Sequence, residues 1–221
     1  MTRPAAAVAA SLADALASLA PTGVRCEVLP IDAVHRASLF ADERAAMAAA
    51  RPRRRDEFAT GRAALRAALG RPVAVPVGDG GRPVLPPDVT GSIAHDDAVA
   101  VAVAGSSARW AALGVDLERA GPMPADEAAL VRRTDEGDLD ARMVFVLKEA
   151  AYKAWSALGG RLLDFTEMRV EVAGEGSFVA TPIVSGAPNL RGRYGLVDER
   201  WLAVVAFTRR TGVGCFGAGL A

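Results

Sequence analysis

One helical segment, Phe145–Trp155 (FVLKEAAYKAW), carries the only two lysines of the chain, although 26 residues are Lys or Arg. Where almost every cation is written as Arg, two lysines five positions apart point to a local need for a compact ammonium group. At 100° per residue Glu149 and Lys153 share one face of this helix, while Lys148, Tyr152 and Trp155 share a neighbouring one. A fold built on this chain must place that helix so that its carboxylate and ammonium groups are either solvated or used. The solvated reading is an i,i+4 Glu–Lys pair worth a few tenths of a kcal/mol.

The remaining elements follow from periodicity and punctuation. Val8, Leu12, Leu16 and Leu19 have the spacing of a short amphipathic helix, and Asp14 interrupts what would otherwise resemble an export signal. A strand is expected at Val24–Leu29, a helix from about Asp42, and a stronger helix from Arg53 to Leu69 closed by Gly70 and Pro72. Its buried stripe is Phe58, Gly61, Leu65 and Leu69. Arg55, Arg62 and Arg66, with Arg51, Arg53 and Arg54 before them, form either a solvated face or a site for anions, whose oxygens Arg binds bidentately. Val73–Val77, Val89–Ala94 and Ala98–Ala104 (AVAVAVA) alternate as strands, with an irregular Gly/Pro loop at 78–87 and a tight turn at His95-Asp96-Asp97. His95 is either an ordinary turn residue or a charge-assisted donor to a polyphosphate.

Gly105–Arg109 is the linker candidate near the midpoint, and Trp110–Leu117 returns to strand. Side chains alternate on a strand, so Asp116 and Glu118 share a face. Neighbouring carboxylates are tolerated in open water or around a cation. Residues 121–140 are polar, with a helical turn or two near Ala125–Arg133. Strands at Met168–Val172, Ser177–Ala180, Arg193–Val197 and Trp201–Thr208 complete the second half. The expected class is α+β, as two similar units packed together.

Composition narrows the function. The formal charge is zero, so no global field favours nucleic acid or a membrane surface, and there is no run of 18 apolar residues. Cys26 and Cys215 form no CxxC, which makes a reducing, cytoplasmic setting the expectation. Glu149 with Asp116 and Glu118 would make an all-oxygen site suited to Mg²⁺ on a pyrophosphate, with lysine, arginine and histidine neutralising further phosphate charge. That is equipment for phosphoryl-centre chemistry, where positioning and electrostatics supply most of the catalysis.

The blocks RRRDEFATGRAALRAALG (53–70), GDGGRPVLP (78–86), GSIAH (91–95), GVDLE (114–118) and FVLKEAAYKAW (145–155), in this order, resemble the 4′-phosphopantetheinyl transferases of the Sfp/EntD type, particularly the actinobacterial-style single-chain enzymes. The resemblance implies two pseudo-symmetric α/β halves, residues 1–107 and 108–221, with the active site in the cleft between them. It implies transfer of the phosphopantetheine arm of coenzyme A to a serine of an acyl or peptidyl carrier protein, releasing adenosine 3′,5′-bisphosphate. The carriers implied are those of siderophore, polyketide, non-ribosomal peptide or fatty-acid systems. By motif, Asp116, Glu118 and Glu149 would hold Mg²⁺, and Glu149, directly or through a water, would be the base. Lys148, the other expected catalytic residue, and Lys153 would contact the coenzyme A phosphates. Arg54, Arg62 and His95 would grip the 3′-phosphate end, the 77–80 loop would approach through its backbone, and Tyr152 would pack. A monomer is expected, with no nucleic-acid or membrane partner. The chain departs from the family pattern at Ala94, Val77, Leu85 and Leu147 and is short between Glu118 and Lys148. Two rival readings use the same residues: a non-catalytic coenzyme A-binding homologue, and a different Mg²⁺-dependent phosphotransferase or phosphohydrolase.

Overall fold

The computed structural model describes residues 3–209 apart from Glu175, so Cys215 lies outside the described residues. The chain begins with helix α1 (Ala5–Leu19), whose Val8, Leu12, Leu16 and Leu19 are buried as their spacing predicts. Strand β1 (Arg25–Pro30) and a short helix α2 (Ala41–Ala46) lead to the long helix α3 (Pro52–Leu69). Pro52 opens α3 where a missing amide costs nothing, and Gly70 at φ 70° closes it in the left-handed conformation. Strands β2 (Val89–His95) and β3 (Val99–Ser106) form a hairpin whose turn is fixed by Asp96, which accepts from the amides of Ala98 at 2.7 Å and Val99 at 2.8 Å. The order of the first, three-stranded antiparallel sheet is β1-β3-β2.

The expected linker at Gly105–Arg109 is shorter than its span, a tight turn at 107–109 between strands of different sheets. Gly105 and Ser106 finish β3, and after a tight turn the chain enters β4 (Trp110–Arg119), which belongs to the second sheet. Helix α4 (Ala125–Val131) precedes the long helix α5 (Ala141–Ala157), capped by Asp140, whose carboxylate accepts from the Met143 amide at 2.8 Å. Strands β5 (Met168–Ala173), β6 (Ser177–Pro182), β7 (Leu190–Val197) and β8 (Arg200–Thr208) complete a five-stranded antiparallel sheet of order β4-β8-β7-β6-β5. The molecule is thus α+β.

Alternation along two strands explains the layering. On β3 the valines 99, 101 and 103 join α1 and the odd-numbered β4 residues Leu113, Val115 and Leu117 in one core, while Ala102 and Ala104 face Ala64, Leu65 and Ala68 of α3. On β4 the even-numbered side chains point the other way, toward α5, whose Val146, Leu147, Ala150 and Ala154 pack on Ala112, Ala203 and Val205. Each sheet therefore carries one long helix on its outer face, and α1 packs with the faces that meet.

Two further expectations change. Val73–Val77 is not a strand: it makes one isolated bridge, Val77 to Pro83, and the Val75 amide donates to the Glu43 carboxylate at 2.7 Å. The arginine face of α3 is also not uniformly solvated. Arg62 and Arg66 are buried, the latter against Glu43 at 2.8 Å, a carboxylate of α2 that stands 23 residues away in sequence.

Candidate active site

The site is assembled where α5 presses on β4. Gly114 makes this approach feasible, since a Cβ there would lie 1.9 Å from the Ala150 carbonyl oxygen. The contact sets Asp116 and Glu118, on the α5-facing side of β4, beside Glu149 and Lys153. Lys153 Nζ donates to Asp116 Oδ1 at 2.7 Å, to the Val115 carbonyl at 3.0 Å and to the Ile93 carbonyl at 3.2 Å. One ammonium group thereby joins α5, β4 and β2, and so both sheets. The Val115 amide donates to Ser92 Oγ at 3.2 Å, a second tie between β2 and β4.

The three carboxylates feel one another. Burial, then the charge of Asp116, raises the proton affinity of Glu149. Burial followed by Asp116 does the same for Glu118. Asp116 is raised by burial against the opposing pull of Lys153. Asp116 is 7% exposed, and its Oδ2 is buried without a hydrogen-bond partner among the described residues. A buried, unpaired carboxylate oxygen is costly unless something outside the chain completes it. Among the described residues no three His, Cys, Asp or Glu side chains stand in a ready-made metal arrangement. Asp116 faces the Lys153 ammonium, and the expected triad is a neighbourhood of acids rather than a formed coordination shell. The donor chemistry, hard oxygens with one orphaned, fits a divalent cation such as Mg²⁺.

At the far end of β2 stands a second polar group. Arg54 Nη1 lies 2.6 Å from His95 Nε2. A guanidinium only donates, so Nε2 is the acceptor and the imidazole proton sits on Nδ1, 3.9 Å from Glu57 Oε2. Burial and the charge of Arg54 lower the His95 pKa and keep the ring neutral. Arg54 also reaches Glu57 at 3.4 Å, a residue that sequence reasoning missed although it stands three positions on along the same helix. Arg62 lies over the Phe58 ring at 4.3 Å and donates through Nε to the Val75 carbonyl at 2.8 Å. Its Nη2 is buried and unpaired, and burial lowers its pKa to about 10.

Lys148 is placed differently from Lys153. It is 1% exposed, and Nζ donates to Glu136 Oε2 at 2.9 Å and to the carbonyls of Val131 at 2.8 Å and Phe165 at 2.9 Å. Both lysines make three hydrogen bonds, so what separates them is exposure: the Lys153 side chain is 28% exposed and lines the large cavity, whereas Lys148 is enclosed by acceptors outside the sequence motif. Glu136 carried no sequence signal, because its 12-residue separation from Lys148 crosses an irregular segment.

A cavity of about 680 Å³ opens beside these groups, lined by the 78–85 loop, by Thr90–Ile93 of β2, and by Glu149, Tyr152, Lys153 and Ser156 of α5. Arg82 at its loop side donates to the Ser156 carbonyl at the end of α5, a cross-contact not evident from sequence. Arg54, Arg62, His95, Asp116 and Glu118 are not among the lining residues. A smaller cavity of about 170 Å³ also touches Glu149 and Tyr152 and is lined further by Lys148, Leu162, Leu163, Phe165 and Met168. Cys26 is away from both; burial pushes its thiol up to about 11. No helix among the described residues is long and apolar enough to cross a membrane.

Comparison with known proteins points to one family. Residues 42–105 match the family described as the 4′-phosphopantetheinyl transferase N-terminal domain. The chain is 36% identical over 182 residues to the 4′-phosphopantetheinyl transferase Svp of Streptomyces mobaraensis, covering 75% of this chain and 74% of that protein. It is 32% identical over 177 residues to Npt of Nocardia iowensis (70% and 80%), and 30% identical over 180 residues to PptT of Mycobacterium tuberculosis (70% and 78%), both also 4′-phosphopantetheinyl transferases. With identities of 30–36% over more than two thirds of each chain, the chain belongs to the 4′-phosphopantetheinyl transferase family of enzymes.

Proposed function

We propose that this enzyme moves the 4′-phosphopantetheine arm of coenzyme A to a serine of an acyl or peptidyl carrier protein, with Mg²⁺, releasing adenosine 3′,5′-bisphosphate. The observation that carries the reading is the buried, unpaired Oδ2 of Asp116 beside Glu118, Glu149 and Lys153, next to a cavity large enough for an extended ligand. The relatives bear the name of this transferase, and the chemistry below is the use these side chains suit best.

Asp116, Glu118 and Glu149 would hold the ion, which when bound supplies positive charge to the pyrophosphate oxygens. Glu149, with its proton affinity raised by burial and by Asp116, is suited to take the serine hydroxyl proton as Oγ attacks the phosphorus bearing the pantetheine arm. The P–O bond to the nucleotide phosphate breaks, and the leaving oxygen departs as part of adenosine 3′,5′-bisphosphate, with Lys153, a cation that lines the cavity, suited to receive its charge. Arg54, Arg62 and a neutral His95 form the donor set for the nucleotide's 3′-phosphate, the unpaired Arg62 Nη2 being one free donor. Lys148 has no part at the phosphates and acts inside the fold. On this reading the halves are residues 1–107 and 108–221, divided at the turn between β3 and β4, and the reaction takes place in the cleft between them within a monomer.

The test is incubation of the purified protein with Mg²⁺, coenzyme A and a panel of apo carrier proteins, read by intact mass. One phosphopantetheine arm gained per carrier is the expected result. No gain on any carrier, with the protein folded and coenzyme A intact, overturns the reading.

A further inference from the structure

Two buried glutamates repeat one device in the two halves. Glu43 is fully buried in α2: its Oε1 accepts from Arg66 Nη1 at 2.8 Å and from the Val75 amide at 2.7 Å, and its Oε2 from the Phe40 amide at 2.8 Å. Glu136 is buried in the turn before α5: its Oε1 accepts from the Val170 amide at 2.7 Å, and its Oε2 from Lys148 Nζ at 2.9 Å and the Arg133 amide at 2.8 Å. Each carboxylate takes a cation from the long helix, the amide three residues before itself, and an amide from the segment that follows the helix. Desolvating two such ion pairs is expensive, and apolar residues would fill the same space at lower cost. Paying that cost twice in equivalent places calls for a role beyond stability.

The roles differ because the helices carry different groups. Val75, held through its amide by Glu43, gives its carbonyl to Arg62 Nε at 2.8 Å. Glu43 therefore sets the guanidinium expected at the nucleotide. Lys148 is the residue before Glu149, and its ammonium also binds the carbonyls of Val131 and Phe165. Glu136 therefore sets the turn of α5 that presents Glu149, together with the Phe165 wall of the smaller cavity.

We propose that Glu43 and Glu136 are positioning residues, Glu43 acting through Val75 on Arg62 to set coenzyme A affinity, and Glu136 acting through Lys148 on Glu149 to set turnover. The assignment rests on the transferase reading. It also makes the first lysine of the helix motif a brace rather than a ligand of phosphate.

The experiment compares Glu43→Gln and Glu136→Gln in the full chain, on the apo carrier protein that the wild type modifies best. Glutamine keeps the shape but replaces one acceptor oxygen by a donor that faces other donors. Coenzyme A affinity is read by titration calorimetry, and kcat at saturating coenzyme A. For Glu43→Gln the expected result is a Kd weakened on the order of tenfold with kcat within about twofold. For Glu136→Gln it is a kcat lowered on the order of 10- to 100-fold with Kd within about twofold, since small misplacements of reacting groups have effects of that size. A role in folding alone would not split the two parameters. Equal effects of both variants on both parameters, or no effect in folded protein, overturn the proposal. If a glutamine variant fails to fold, Glu43→Asp or Glu136→Asp, which keeps the charge and shortens the reach, must show the same split. A wild type that modifies no carrier removes the transferase reading and this proposal together; an active wild type without the split removes this proposal alone.

Discussion

Gly114→Ala should be among the most damaging single-methyl changes available to this chain. A Cβ there would meet the Ala150 carbonyl oxygen at 1.9 Å, its carbon at 3.0 Å and the Ala154 amide nitrogen at 3.1 Å. All three are helix backbone, so no side chain can swing aside. Opening the first separation to ordinary contact moves α5 from β4 by about 1.5 Å. Overpacking of this kind costs roughly 1–3 kcal/mol and more where backbone must move, whereas alanine recovers only about 0.5–1 kcal/mol of glycine's chain entropy. The clash wins, with a net loss of about 2 kcal/mol or more. Urea unfolding measures it, with Gly195→Ala as control, because a Cβ at Gly195 meets nothing within 4 Å. Carrier modification by whatever Gly114→Ala protein folds should fall on the order of 100-fold, as α5 carries Glu149 and Lys153 away from Asp116. Adding Ala150→Gly should not help, because the obstacle is the carbonyl and not the methyl. A Gly114→Ala protein as stable and active as wild type, or one restored by Ala150→Gly, would refute the close-approach argument.

Glu149→Gln keeps the shape of the side chain and removes its charge; turnover should fall by a factor of roughly 10² or more while the unfolding free energy from urea titration stays within about 0.5 kcal/mol of wild type. Near-normal transfer by this variant would take Glu149 out of both the metal and base roles. Glu167 offers a pH prediction: hydrogen bonds from Arg161, then from the Asp164 amide, pull its pKa from 4.5 to about 2. A depressed carboxylate contributes stability that is complete above 4.5 and disappears as pH falls toward 2. Glu167→Gln should therefore flatten the dependence of the unfolding midpoint on pH within that window, and parallel curves for the two proteins would contradict the assignment.

Much of the fold was readable because its periodicities are local. The α1 stripe, the hairpin around Asp96 and the α3 stop at Gly70 each depend on residues within a turn or two of one another. The acidic neighbourhood was readable for the same reason, since alternation sets Asp116 and Glu118 on one face of β4 and helical spacing pairs Glu149 with Lys153. The misses are long-range. The burial of Arg62 and Arg66 was not readable, because Val75 and Glu43, which engage them, are contributed by other segments. Val73–Val77 alternates like a strand, yet the Val75 amide is claimed by Glu43 and Pro76 has no amide to donate. The two lysines five positions apart point about 140° apart around α5, and only tertiary structure shows that one meets Asp116 and the other Glu136.

Helix α1 has a mechanical consequence. Its apolar stripe shares a core with strands of both sheets, and Arg3 and the Ser18 carbonyl fasten it further to Asp198, between β7 and β8, and to Arg193 on β7. Loosening either sheet would strip apolar cover from this one helix, so the two sheets are expected to melt together, like pages held in one binding.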